Sequence, residues 1–373
     1  MGKRILLLVS NDISSDQRVD KTCHTLMDMG HEVKVIGRLR PFSTGLTRPY
    51  PTERLELFFD KGPLFYLELN IRFFFRLMKR DWDVVHANDL DTLLASFLGY
   101  TSFARTDIVY DSHEFFTEVP ELKGRLARKV WLLIEKAIFP RLKHVYTVSA
   151  SIAEHYQKTY GPEVKVLRNV PPFKEWKKER TRAELGLPEQ ARLLILQGAG
   201  INVSKGAEEA ILAMRELPED YHLLFLGSGD VFEGLKSMVD LYQLGHRVHF
   251  RDRMPYEEMM QFTLNADLGL SLEKGDNLNY EYALPNKIFD YIAAGIPVLG
   301  GPTLESKRLV SEYGIGRSLE AIAPVLIAKT VEEMFSRPDQ LSPYREATQR
   351  AYQELNWTKE SVVLKSIYAG LDG

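Results

Sequence analysis

The chain has 373 residues, 45% of them hydrophobic and 27% charged, with a formal net charge of −3 and a single cysteine, Cys23. That length exceeds one ordinary core and suits two domains of roughly 150–200 residues each. The composition belongs to a globular protein and excludes a disordered chain, a strongly basic nucleic-acid binder, an intramolecular disulfide and a cysteine-rich zinc site. Cys23 falls in a helical pattern and reads as a buried thiol. Ile5–Ser10 is apolar but short, and it lacks the small-residue cleavage site of a secretory signal. No run reaches the roughly 18–20 apolar residues of a membrane span, so a cytoplasmic location is expected.

In chain order, short β-branched runs alternate with helical stretches, the pattern of parallel sheets covered by helices. The first series places strands at Ile5–Ser10, Glu32–Gly37, Asp83–Ala87, Ile108–Asp111, Val145–Ser149 and Val164–Leu167. Its helices fall at Gln17–Met29, Leu64–Lys79, Leu90–Thr101 and Arg125–Lys143. Pro171, Pro172 and the charged run Lys174–Arg182 interrupt the pattern and mark a linker over 171–190. A second series follows, with strands at Leu193–Gln197, His222–Leu226, Val248–Arg251, Leu268–Leu272 and Pro297–Leu299. Helices at Ala207–Glu216, Phe232–Leu244 and Pro255–Leu264 lie between them. The expected fold class is α/β, with two Rossmann-like domains (1–170 and 191–350) facing each other across a cleft. Residues 351–373 are expected to form a helix that packs back on the first domain.

Ligands of open α/β sheets bind beyond the carboxyl ends of the strands. That rule selects Asn11 and Asp12 with Asp16 and Arg18, the run His86–Asp89, and the run Asp111–Glu114 with His113. In the second series it selects Gly198–Gly206, Gly227–Gly229 and Glu273–Asp290. Gly198 and Gly200 leave a strand, and Lys205-Gly206 precedes a helix. Glycines allow close backbone approach, and a lysine with a helix N-terminus favours an anion such as a diphosphate. An ordinary strand-to-helix turn is an equal reading, since neither a Walker loop nor Gly-x-Gly-x-x-Gly is present. In Leu284–Val298, Pro285 suits the first turn of a helix whose amides can receive an oxyanion. Asp290 sits one turn after Asn286, Gly295 ends the helix, and Pro297 opens a strand. The plainer reading of this segment is a well-capped buried helix with a surface aspartate.

"YIAAGIPVL" in that segment, "VYDSHE" at Val109–Glu114, "LGSGD" at Leu226–Asp230 and "VHFRDRMPYEEM" at Val248–Met259 occur in an order that resembles the retaining family 4 (group 1) glycosyltransferases of the GT-B fold. The likeness covers most of the chain and implies a hexosyltransferase-type enzyme whose second domain binds a nucleotide-sugar, UDP- or GDP-linked. Lys205 matches the family's diphosphate-binding lysine, while its usual basic partner is not evident. Asp290 matches the acidic residue assigned to the ribose, and a carboxylate can accept both hydroxyls of a diol. Tyr282 stands where the family carries a glutamate, so Glu281 is the preferred sugar contact, with Glu273 or Asp276 as alternatives. Asn286 and Lys287 are expected at the diphosphate, and Gly227 beside the donor.

The resemblance assigns the acceptor to the first domain, where Asn11, Arg18, His86, Asp111, His113 and Glu114 are its candidate contacts. His113 could orient the donor or polarise a hydroxyl; bonding to a neighbouring carboxylate would make it structural instead. Arg18 could equally be a helix-surface ion pair. The implied mechanism retains configuration, with Lys205 and helix amides stabilising the departing diphosphate. Asp89-Leu90-Asp91 has the spacing of a metal motif but opens a helix, where acidic capping explains it, and no metal or cofactor is expected. Leu64–Arg80 carries Phe65, Tyr66, Phe73, Phe74, Phe75 and Leu77 with Arg72, Arg76, Lys79 and Arg80, and Lys123–Lys143 is likewise basic and apolar. Such helices fit an anionic membrane surface, and they fit equally a core helix with a basic solvent face. The acceptor is expected to be a glycan or a lipid-linked sugar. The competing readings are a sugar-nucleotide 2-epimerase on the same fold and a non-catalytic sugar-nucleotide-binding scaffold.

Overall fold

The computed structural model describes residues 2–14, 16–41, 43–78, 82–102, 107–337 and 339–372. The chain divides into two compact units. The first contains the residues up to Asn169 together with those from Glu360 on, and the second runs from Val170 to Lys359.

The first unit is built on a parallel sheet of seven strands: β1 (Arg4–Leu8), β2 (Glu32–Arg38), β3 (Thr52–Leu55), β4 (Val84–Asn88), β5 (Asp107–Ser112), β6 (His144–Thr147) and β7 (Val164–Val166), in the order β3-β2-β1-β4-β5-β6-β7. Its helices are α1 (Gln17–Asp28), α2 (Gly62–Leu77), α3 (Leu90–Ser102), α4 (Leu126–Ile138) and α5 (Ala150–Tyr160). Asp16 caps α1 by accepting from the Val19 amide at 3.0 Å. The expected helix over Arg125–Lys143 is shorter: α4 ends at Ile138 and a 3-10 turn takes Phe139–Arg141, because Pro140 cannot continue the ladder. Strand β3 was not expected; it is a short edge strand paired only with β2, with one buried residue, Leu55. Leu6, Leu8, Ile36, Phe65, Leu69 and Phe73 form part of the core between sheet and helices.

The second unit repeats the plan with β8 (Arg192–Gly198), β9 (Tyr221–Gly227), β10 (Val248–Asp252), β11 (Leu268–Ser271), β12 (Val298–Gly300) and β13 (Gly316–Ser318), in the order β10-β9-β8-β11-β12-β13. Helices α6 (Ala207–Met214), α7 (Phe232–Leu241), α8 (Tyr256–Asn265), α9 (Leu278–Tyr282), α10 (Asn286–Ala294), α11 (Leu304–Tyr313), α12 (Pro324–Met334) and α13 (Ser342–Glu354) cover it. Helix α14 (Trp357–Ala369) follows, and its residues from Glu360 on belong to the first unit.

Residues 171–190 pack as part of the second unit. The Gln261 side chain accepts from the Glu179 amide at 2.9 Å, Arg182 pairs with Asp267 at 2.7 Å, and Tyr352 Oη donates to the Pro172 carbonyl at 3.1 Å. In both sheets the strand order reverses beside the first strand of the unit, between β1 and β4 and between β8 and β11. Loops at such switch points spread apart and leave room for a ligand. Among the described residues no helix is long and apolar enough to cross a membrane.

Candidate functional site

In the second unit the loop after β8 and the loop after β9 are joined through their backbones. Ile201 N donates to the Ser228 carbonyl at 2.9 Å and Ser228 N to Gly198 at 3.2 Å. Gly227 has φ +135, and a Cβ there would meet the Gly198 carbonyl oxygen at 1.9 Å, so only glycine allows the approach. Gly206 caps α6 in the left-handed region, φ +71, against Leu272.

At the end of β11, Glu273 is 2% exposed, and its Oε1 faces two ammonium groups, Lys287 Nζ at 3.1 Å and Lys205 Nζ at 3.9 Å. Its Oε2 accepts from Ser271 Oγ at 2.7 Å. Burial opposes the charge on Glu273, but the two lysines and the hydroxyl outweigh it and hold the carboxyl below its ordinary range. Lys205 Nζ also lies 4.0 Å from the centre of the Tyr280 ring. Lys287 belongs to the first turn of α10, and its Cε approaches the Cβ position of Gly198 within 3.9 Å. Lys287 is therefore a second cation beside Lys205, in a place where sequence comparison left a gap.

Asn286 is exposed at the start of α10, and Gly200 is exposed in the glycine loop. One turn on, Asp290 accepts from Tyr256 Oη at 2.8 Å and from Gln197 Nε2 at 3.2 Å. Glu281 lies in α9, a five-residue helix of its own capped by Asn277. Its Oε1 accepts from the Leu304 amide at 3.1 Å, so this carboxylate also holds the start of α11. The structure thus gathers Gly198, Lys205, Glu273 and Lys287 directly. Tyr280, Tyr256 and Gln197 are partners that sequence reasoning missed, because tyrosine and glutamine carry no spacing signal.

In the first unit Arg18 and Asp111 are buried and joined in a two-pronged pair, Nη2–Oδ1 2.7 Å and Nε–Oδ2 2.8 Å, with Nη1 donating to the Leu167 carbonyl at 3.0 Å. Arg18 is therefore an internal strut joining α1 to β5, not a surface ion pair and not an open acceptor contact. His113 Nε2 stands 3.0 Å from Asp111 Oδ2, and its Nδ1 stands 3.4 Å from Asp89 Oδ2. Burial opposes protonation of His113, but the two carboxylates prevail and push its pKa up to about 9. The side chain is an imidazolium at neutral pH, unable to take a proton from a hydroxyl.

His86, an expected acceptor contact, is wholly buried between two tyrosines, with Nε2 2.9 Å from Tyr146 Oη and Nδ1 3.0 Å from Tyr368 Oη. Burial above all pushes its pKa down to about 4, with the Asp111 carboxylate opposing the fall and the His113 and Arg18 cations adding to it. It packs within the core and reaches no acceptor. Asn11 is exposed beyond β1, and Glu114 is half-buried. Cys23 is buried, and burial drives its thiol far above its ordinary value. Among the described residues no group of three or more His, Cys, Asp and Glu side chains is arranged to hold a metal ion.

The model of Glycosyltransferase Family 4 matches residues 17–170, and that of Glycosyl transferases group 1 matches residues 177–353. The chain belongs to the family 4, group 1 glycosyltransferases. Both models describe transferases, not the epimerases that share their architecture. Sucrose-phosphate synthase from Thermosynechococcus elongatus is similar in fold, with TM-score 0.80 and 17% identity over 99% of both chains. Anabaena HepE, solved with UDP and glucose, matches with TM-score 0.75 and 15% identity over 100% of both chains. WaaG, a glycosyltransferase involved in lipopolysaccharide biosynthesis, matches with TM-score 0.72 and 18% identity over 98% of both chains. No curated protein sequence matches the chain. The glycosyltransferase has the GT-B fold.

Helices α2 and α4 of this glycosyltransferase each carry a second, outward apolar face. Phe65, Phe73 and Leu77 of α2 are in the core, whereas Leu64, Leu67, Ile71 and Phe75 are 46–62% exposed. On α4, Leu126, Val130 and Leu133 are 55–77% exposed. Tyr66 of α2 packs on Trp131 of α4 with ring centres 5.0 Å apart, so the two helices are neighbours. Lys79 and Arg80, also expected on α2, lie outside the described residues.

Proposed function

We propose that the enzyme transfers a hexose from a UDP- or GDP-sugar to a glycan or lipid-linked acceptor, with retention of configuration and without an essential metal. The observation that carries this reading is the convergence of Lys205 and Lys287 on Glu273 beside the glycine loop. Two cations over one carboxylate leave a positive excess, and the first amides of α10 add the positive end of a helix dipole. A diphosphate fits that charge. The HepE structure with UDP and glucose supports a nucleotide-sugar for this fold.

In the proposed step the acceptor hydroxyl oxygen bonds to the anomeric carbon as the bond from that carbon to the diphosphate breaks. The hydroxyl proton leaves with the diphosphate. Lys205, Lys287 and the Asn286 and Lys287 amides stabilise the negative charge that grows on the departing oxygen, work that a metal does in other enzymes. Asp290 is assigned to the ribose hydroxyls. Glu281, held by the Leu304 amide, is assigned to a hydroxyl of the transferred sugar. His113 serves as a positioning cation for the loop after β5.

A thermal-shift series with UDP, GDP, ADP and CDP, followed by transfer assays with the stabilising nucleotide's sugars in EDTA, tests the reading. We expect stabilisation by UDP or GDP and full activity in the chelator, with an NMR spectrum of the product showing the donor's anomeric configuration. An inverted product, or strict dependence on magnesium, would overturn the corresponding part.

The outward apolar faces of α2 and α4, bordered by Lys61, Arg76, Arg125, Lys129 and Lys136, are further proposed to rest on an anionic bilayer. Flotation with phosphatidylcholine vesicles containing phosphatidylglycerol is expected to carry the protein upward, and Leu67→Glu with Leu133→Glu to release it. A wild-type protein that stays at the bottom removes the idea.

A further inference from the structure

Gln197 carries the last side chain of β8 before the glycine loop, and it is 1% exposed. A carboxamide so deeply buried needs partners for its polar atoms. Its Oε1 accepts from Thr263 Oγ at 2.7 Å, and its Nε2 donates to Asp290 Oδ2 at 3.2 Å, with Met259 Sδ beside it at 3.7 Å. Charge decides which way round the amide lies. A carboxylate only accepts, so the nitrogen must face Asp290, and the Thr263 hydroxyl, which can donate, meets the oxygen. Thr263 is fully buried in α8 and props the amide from behind.

The other oxygen of Asp290 accepts from Tyr256 Oη at 2.8 Å, and Trp176 packs edge-on against the Tyr256 ring with centres 5.8 Å apart. Burial above all, then the Asp290 charge, raises the Tyr256 phenol well above its ordinary value, so the hydroxyl keeps its proton and stays a donor. The terminal torsion of an aspartate is broad, so the rotamer alone does not set the plane of the carboxylate. Here a neutral donor on each oxygen sets it. Neutral donors orient a carboxylate without cancelling its charge, and its two oxygens offer about four acceptor sites in all. Asp111 differs, because its two oxygens face a guanidinium. Asp290 follows Lys287 by three residues in α10, so the two side chains are neighbours on the helix surface.

We infer that Gln197 is a positioning residue for ribose selection. Backed by Thr263 and opposed by Tyr256, it holds the Asp290 carboxylate at the rotation in which it accepts from both hydroxyls of a ribose, so that the enzyme takes ribonucleotides in preference to their 2′-deoxy counterparts. This rests on the reading of Asp290 as the ribose contact. Being buried, Gln197 acts through Asp290 and not on the ligand. A hydrogen bond weakens steeply as its angle departs from linear, so a carboxylate free to turn loses the diol first. A ligand without the diol loses little.

Isothermal titration of the full chain compares UDP with 2′-deoxy-UDP and GDP with 2′-deoxy-GDP. The ribonucleotide that binds is expected to do so about tenfold tighter than its deoxy counterpart, the worth of one hydrogen bond to a charged acceptor. Gln197→Leu should weaken the ribonucleotide roughly fivefold or more and the deoxynucleotide less than about twofold, which shrinks the preference. Thr263→Val should move the ratio the same way by a smaller factor. Tyr256→Phe keeps the ring and removes the donor from the other oxygen, so it tests the inference even if Gln197→Leu fails to fold; the preference should again fall. A wild-type preference that survives in every variant that folds, or variants that weaken both nucleotides alike, overturns the positioning role and leaves the donor reading intact. Equal binding of the ribo and deoxy forms by the wild type sinks the ribose assignment of Asp290, and binding of neither UDP nor GDP sinks the donor reading; each of these results removes the inference with it.

Discussion

The two charge clusters at the strand ends are alike in residue type and opposite in design. In the first unit Arg18 and His113 face Asp111 and Asp89, so two cations meet two anions, and each is bonded within the cluster. In the second unit two lysines face the single carboxylate of Glu273, next to a loop whose glycines bring two backbones together. A balanced cluster satisfies itself and stiffens the fold. One with surplus positive charge next to an exposed helix N-terminus has an unmet preference for an anion. Proximity of charged residues at a strand end is therefore insufficient to define a binding site; the charge balance among them decides it.

Breaking the first cluster should cost stability above all. Arg18→Ala would leave Asp111 charged and buried, and is expected to lower unfolding free energy by about 3–5 kcal/mol in urea denaturation. A loss under ~1 kcal/mol would show that water reaches the pair and that the cluster is open after all.

The pH response sharpens the same contrast. His113 has its pKa raised to about 9 in the folded protein, against 6.5 as the ordinary value. Its stabilising contribution is complete below pH 6.5 and disappears as pH rises through 9, an effect of at most about 3 kcal/mol. Burial above all raises Asp89 to about 6 and Asp91 to about 7, so both have largely titrated before the upper part of that window. Melting temperature should fall between pH 7 and 9 in the wild type and fall less in His113→Gln. Parallel curves for the two proteins would refute the imidazolium assignment.

The second cluster should respond in function. Lys205→Ala is expected to reduce kcat by about 10²-fold, or ~2.7 kcal/mol of transition-state stabilisation, with a smaller change in melting temperature than Arg18→Ala. A variant that melts far lower while turning over normally would make Lys205 a structural residue.

Much of the fold was legible because the period of hydrophobic residues follows from burial alone. β1, β2, β4 and β8 are apolar runs, and α10 announced itself through Pro285, the apolar positions Ile288 and Ile292, and Gly295. What escaped notice was short or polar: β3 with one buried residue, β13 with none, and α9. Helices α5, α11, α12 and most of α13 were also missed, although Ser149 caps α5 by accepting from the Ile152 amide. Within the candidate donor site, Lys205 and Asp290 could be picked out by position after a strand or within a capped helix. Tyr280 and Tyr256 could not, since only the packing of α8 and α9 brings them to Lys205 and Asp290.

From the sequence alone came the paired α/β plan, the family, and the strand ends where charge collects, all of which depend on periodicity and local backbone chemistry. The partners of each charge were decided by the tertiary structure. Lys205 and Lys287 are far apart along the chain and share Glu273 only because β8 and β11 are neighbours in the sheet. His86 and His113 both follow the same strand-end rule, yet one lies sealed between tyrosines and the other between carboxylates. Burial and the sign of the nearest charge set the protonation of those side chains, and both are properties of contacts between segments remote in sequence.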